Sequence, residues 1–159
     1  MSPAKASARA RRGRYDLSVT NHTPNVAATA SATGSALGGE ALLRSLAGTV
    51  TDDGPDLLAT RETAVPWLRT AGLLPGDAAL TGSEHGALLR LRDALRETLA
   101  VRASGAADDD AAARLTRALT DGRLVVTVSP AGAAGLASSA RASYSNLVAA
   151  VAIAVAEAW

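Results

Sequence analysis

The sequence contains no cysteine and no phenylalanine, and its aromatic content is 3%. Without cysteine there is no disulfide, no thiolate zinc site and no cysteine nucleophile, and the redox compartment leaves no mark on the chain. With so few aromatics, a core has to come from Leu, Val and Ala. Alanine contributes little buried area, so such a core needs closely packed helices. Only two histidines occur, His22 and His85, too few and too far apart for a metal-ligand spacing, and no metal or cofactor is expected. Long apolar runs are missing as well. The best candidate, Leu147 to Ala156, is alanine-rich and falls short of the roughly 18 residues that a membrane span needs. A strong excess of one charge is also absent. The net charge of +1 provides no global pull towards nucleic acid or a membrane surface. Arg12 and Arg14 lead into Tyr15-Asp16 and polar residues rather than an apolar stretch, unlike an export signal. The expectation is a cytoplasmic protein with no membrane partner.

The 159 residues suit one domain with a tail. Residues 1–38 form the tail, a basic arm rich in Ala, Ser and Thr. Its stretch Thr29-Ala30-Ser31-Ala32-Thr33-Gly34-Ser35 has almost no large apolar side chain and cannot offset its ordering entropy, so disorder is expected. From Gly39 onward, Leu42, Leu43 and Leu46 recur at near-helical spacing up to Gly48. Thr60 is placed to cap a helix that carries Trp67 and Leu68 and ends near Gly72, with Pro66 inside it. Ser83 is placed to cap the next. There Leu88, Leu91, Leu95 and Leu99 form one face and Arg92 and Arg96 another, with Glu97 and Asp93 as surface partners. Asp108-Asp109-Asp110 opens a shorter helix, since acids complement the positive end of a helix dipole. Leu124-Val125-Val126-Thr127-Val128 is β-branched and predicts a strand. Pro130-Ala131-Gly132 supplies a turn, and Leu136 to Ser138 returns as the second strand of a hairpin. A last helix, starting at Ser139 or Ser143 and apolar on most sides, should be buried at the centre. The fold class is therefore α+β: a mostly helical single domain, residues 39–159, with a short β-hairpin before a buried C-terminal helix.

Candidate chemistry is sparse. Gly82-Ser83-Glu84-His85-Gly86 sets a serine near a histidine, but without the spacing or the preceding strand of a nucleophile elbow. A cap serine and an exposed histidine account for it. Lys5, Arg9, Arg11, Arg12 and Arg14 precede the first acid and are candidate DNA-phosphate contacts, which add affinity without reading bases. Trp67 is read as a core anchor that could also line a pocket. Together with Arg92 and Tyr144 it forms the candidate ligand-binding set, placed between the Trp67 helix and the last helix.

Several stretches together resemble a known family. They are Asp56-Leu57-Leu58-Ala59-Thr60, Trp67-Leu68, Ala71-Gly72-Leu73-Leu74, and Leu91-Arg92-Asp93-Ala94-Leu95-Arg96-Glu97-Thr98-Leu99. In this order they resemble the ABATE domain, the N-terminal half of stress-induced transcription regulators common in actinobacteria. The similarity covers about residues 40–159. It implies a regulatory role and a CGNR-type zinc finger following the closing helix. Such a finger needs cysteines, and this sequence has none, so the expectation is a sensing half without the DNA-reading half: a stand-alone homologue or a truncated product. The opening segment departs from the family pattern Leu-x-Leu-Asp-Phe-x-Asn-Thr-Val. Ser45 stands in place of the Asp and Gly48 in place of the Asn, while Thr49 and Val50 match.

The reading that follows is a non-enzymatic ligand-sensing or regulatory domain. The alternatives are a small enzyme or small-molecule-binding protein of specialised metabolism, using residues such as His85, Tyr144 and Arg92, and an interaction module that pairs through the apolar last helix with itself, as a homodimer, or with a full-length regulator.

Overall fold

The computed structural model describes residues 37–159 apart from Asp52 and Ala142. The basic stretch from Lys5 to Arg14, and His22, lie outside the described residues, as does nearly all of the expected arm. The described elements are α1 (Gly39–Ala47), α2 (Arg61–Thr70), α3 (Gly82–Ser104), α4 (Asp109–Ala118), β1 (Leu124–Val128), β2 (Ala134–Ser138) and α5 (Ser143–Ala158). This is the expected mostly helical α+β arrangement, with the hairpin directly before the last helix.

Local chemistry sets most boundaries. At the start of α2, Thr60 and Thr63 cap each other's backbone, and Thr60 Oγ1 accepts from Thr63 N–H. At its end, Gly72 takes φ 71°, which an L side chain resists. This turn lets Leu73 N–H reach back to Leu68 O at 2.8 Å and Gly72 N–H to Arg69 O at 3.0 Å, the paired bonds of a Schellman motif. The α3 cap is Thr81, not Ser83. Thr81 Oγ1 accepts from Glu84 N–H, and Glu84 Oε2 accepts from Thr81 N–H at 2.7 Å, a reciprocal capping box. In α4, Asp108 Oδ1 accepts from Ala111 N–H at 2.9 Å.

The core is leucine-built, as the composition requires. Leu42, Leu43 and Leu46 of α1, Leu88, Leu91 and Leu95 of α3, and Leu147, Val148 and Val151 of α5 are essentially inaccessible, with Leu58 and Leu68 between them. α1 packs against both α5 and α3, α4 packs along α3, and β2 lies against α5. The outer faces of α5 remain partly exposed at Ile153 and Val155, while its buried face is used inside the domain.

β1 and β2 pair antiparallel, with Val126 opposite Leu136. The return strand begins at Ala134, two residues earlier than the sequence pattern alone indicates. Two contacts fix the hairpin to the body. Ser138 Oγ donates to Asn146 Oδ1 of α5 at 2.6 Å. Just before β1, a Cβ added at Gly122 would lie 2.9 Å from Ala149 N and 3.0 Å from Val148 C, so the chain entering the hairpin passes directly against the α5 backbone. Every residue of β1 is exposed. Among the described residues, no helix is long and apolar enough to cross a membrane.

Candidate functional site

The three residues expected to share a ligand pocket have different surroundings. Trp67 is half-buried and packs on the edge of the core. α2, which carries it, makes no extended contact with α5.

Arg92 is only 6% exposed, and it is not the surface group that its helix position suggests. Its Nη1 donates to both carboxylate oxygens of Asp56 at 2.7 Å, and its Nε donates to Asp93 Oδ1 at 2.9 Å. Asp56 Oδ1 also accepts from Leu58 N–H at 2.8 Å. Partial desolvation pushes the Asp56 carboxyl upward, but the bonds from Arg92 and the Leu58 amide outweigh it and leave its pKa below the ordinary carboxylate value. Burial acts against the Arg92 charge, and the two aspartates overcompensate, raising its pKa. Glu97, expected to pair on the same helix, instead takes Arg114 of α4 in a two-pronged ion pair.

His85 lies seven residues before Arg92, two helical turns along the same face. It is partly buried rather than exposed, and its Nε2 is 2.8 Å from Leu58 O. A carbonyl only accepts, so Nε2 carries the proton. Arg92 and His85 therefore hold the segment Asp56–Leu58 at two points on α3. Thr49, one of the two residues that keep the family pattern, is buried nearby in the chain path. Its Oγ1 donates to Leu46 O at 2.8 Å, and its carbonyl accepts from Leu57 N–H at 2.9 Å. Tyr144 is buried, and desolvation together with Asp121 pushes its hydroxyl up to about 12. The charged groups that act on it are Asp121, Arg90 and Glu84, and Arg92 is not one of them.

A concave site is found elsewhere. The N-terminal half of α1, the last turns of α3 and the end of α5 enclose a groove of about 270 Å³, open to solvent. Leu43, Leu99, Ala103 and Ala158 give it apolar walls, and Glu40, Arg44, Arg102 and Trp159 supply the polar and aromatic groups. The Arg102 guanidinium carbon sits 4.9 Å from the Trp159 ring centroid, within cation–π range. Arg44 Nη2 donates to Glu40 Oε1 at 2.6 Å, an exposed pair one turn apart. Arg102 has no carboxylate partner among the described ion pairs, which leaves its guanidinium edge open to a planar anion. No sequence motif marks this site, because its walls come from positions about 60 residues apart along the chain. Among the described residues, no cluster of His, Asp or Glu is arranged to hold a metal.

The Asp56–Arg92–Asp93 knot and the His85–Leu58 bond join stretches that look independent in the sequence, and these stretches carry a family pattern. No curated protein and no solved structure matches the chain. A family model does: the ABATE model, described as "Putative stress-induced transcription regulator", matches residues 39–159, and with that span covered the chain belongs to the ABATE family.

Proposed function

We propose that residues 39–159 form a non-enzymatic ligand-sensing domain of a transcription regulator, and that the groove between α1, α3 and α5 is where the ligand binds. The observation that carries this reading is the Arg102 guanidinium over the Trp159 ring, both lining a groove of mixed apolar and charged side chains. A guanidinium without a carboxylate partner, in a groove it shares with Leu43, Leu99 and Ala103, suits a small carboxylate with an apolar body. A groove of about 270 Å³ is near the lower limit for small-molecule sites, so the ligand would be small.

A second consideration favours binding over catalysis. The groups an enzyme on this fold would draw on are already engaged: Arg92 by two aspartates, His85 by a backbone carbonyl, and Tyr144 by burial. The basic residues Lys5, Arg9, Arg11, Arg12 and Arg14 are proposed to add weak phosphate contacts to DNA, with a salt slope of about −0.9 per contact.

The test is titration of the full chain with benzoate, an indole carboxylate and octanoate, followed by thermal unfolding and calorimetry. The expected outcome is a melting temperature that rises with ligand concentration for at least one of them. Arg102→Ala should lose the rise while the circular dichroism spectrum is unchanged. No shift with any carboxylate at millimolar concentration sinks the groove as an anion site.

A further inference from the structure

We infer that the outer edge of β1 is a self-association surface, and that two copies of this chain join β1 to β1 in an antiparallel, two-fold arrangement centred on Val126. The inference is independent of the groove.

Three observations lead to it. The first is which strand lies outside. β2 packs on α5, and the sheet has only β1 and β2 among the described residues, so β1 has a strand neighbour on one side alone. Val126 and Val128 are 69% and 68% exposed, and Leu124, Val125 and Leu136 are partly exposed, at 36%, 43% and 43%. An exposed, apolar strand edge is a template for pairing unless charge, proline or a bulge blunts it. Here no charged residue lies between Arg123 and Arg141, and the one proline in that stretch, Pro130, is in the turn.

The second is the direction of the backbone groups. Ser139 N–H donates to Arg123 O and Ser129 N–H to Ala133 O, which places the odd-numbered residues of β1 in the bonded pairs with β2. In an antiparallel ladder bonded and non-bonded pairs alternate, so the N–H and C=O groups of Leu124, Val126 and Val128 point to the open side. A two-fold axis at Val126 sets Val126 opposite itself and Leu124 opposite Val128 of the other copy. Each outward donor then meets an outward acceptor. Residue parity is also kept, so Leu124, Val126 and Val128 of both strands form one continuous apolar face.

The third is charge and area. In this register Arg123 faces Ser129 of the other copy. The two Arg123 side chains are separated by six residues of strand, about 20 Å, beyond the screening distance at physiological salt. The pairing engages about seven residues on each side, against the roughly 20–30 of a standard stable interface. The dimer is therefore reversible and concentration-dependent, not obligate.

The experiment uses the full chain. Sedimentation velocity across a wide concentration series should show a monomer–dimer equilibrium. Val126→Lys sets two ammonium groups opposite each other and should raise the dissociation constant by at least about tenfold, with an unchanged circular dichroism spectrum because the position is solvent-exposed. The register has its own readout, because the native chain has no thiol. Facing Cα atoms of a bonded pair are about 5.5 Å apart, inside the range a disulfide spans. Under mild oxidation Val126→Cys should therefore cross-link into a covalent dimer. Val125→Cys should not, since its own counterpart lies diagonally, about 7–8 Å away. A monomer at every concentration overturns the proposal and gives the edge to a strand from another protein. A dimer indifferent to Val126→Lys, or equal cross-linking of the two cysteine variants, overturns it as well, because the contact then lies on another surface or in another register.

Discussion

The helical body and the β1–β2 hairpin are built from the same few residue types but expose them in opposite ways. In the body, leucines repeat at helical spacing and vanish from solvent: Leu88, Leu91 and Leu95 are all fully buried. In the hairpin, Leu124, Val125, Val126 and Val128 are as apolar, yet every one is exposed. A helix that buries one stripe against neighbours satisfies its own backbone at the same time. A two-stranded hairpin leaves one edge of each strand unpaired and is at best marginal alone. The difference shows that hydrophobicity alone does not place a residue in the core. Position in a layered packing does, and the hairpin stands at the margin of the layers.

The comparison can be tested by cutting into each region in turn. The largest effect is expected inside the body: Leu95→Ala should lower stability by about 2–5 kcal/mol in denaturant unfolding, because a packed core refills a cavity only partly. A loss below about 1 kcal/mol would mean the body is looser than its burial indicates.

Next comes Arg92→Met, which leaves the Asp56 carboxylate without its partner. A cost of about 3 kcal/mol is expected, at the lower end for broken buried pairs because Asp56 keeps some solvent access. Adding Asp56→Asn to that variant, which removes the charge and keeps an oxygen for the Leu58 N–H, should recover most of the loss. Failure to recover would assign the damage to packing instead of charge.

A pH titration probes the body from another side. The Tyr144 pKa is raised in the folded state, so the neutral phenol stabilises the fold fully below pH 10, the ordinary tyrosine value. As pH rises from there towards about 12, the unfolded chain ionises first, and stability should fall by roughly 2–3 kcal/mol. Tyr144→Phe should remove most of that alkaline decline.

The smallest effect belongs to the hairpin. Val126→Thr, measured at concentrations where the chain is monomeric, should change stability by no more than about 0.5 kcal/mol. Amide exchange in β1 should likewise precede that of α3, since strands with one open edge open locally at low free-energy cost.

The parts of this structure that are legible in the sequence are those set by neighbours a few residues apart. The leucine spacing of α3, the Leu124–Val128 strand and the aspartates that start α4 all depend on local chemistry, and all three are found where the pattern puts them. The α3 cap is the exception among these local features: the sequence pattern points to Ser83, and the signal that marks Thr81 is Glu84 three residues on, the spacing of a capping box. The Arg92–Asp56 ion pair is a different matter. Its members are separated by 36 positions, and nothing local distinguishes Arg92 from the exposed Arg96 one turn later. The His85–Leu58 bond hides in the same way, since the acceptor is a main-chain carbonyl and carries no residue signature. The groove could not be foreseen because three helices contribute to it and none of its lining residues is chemically unusual on its own.

The close pass of Gly122 along α5 has a consequence for how this surface can change over generations. One of the two anchors is backbone against backbone at Gly122 and the other, Ser138 to Asn146, belongs to β2, so neither uses a β1 side chain. The five β1 side chains can therefore vary without touching either anchor, a freedom of placement and not of pairing. The hairpin is in that sense an exchangeable faceplate, whose outward side chains can change without rebuilding the body behind it. Gly122 is the position at which that freedom ends.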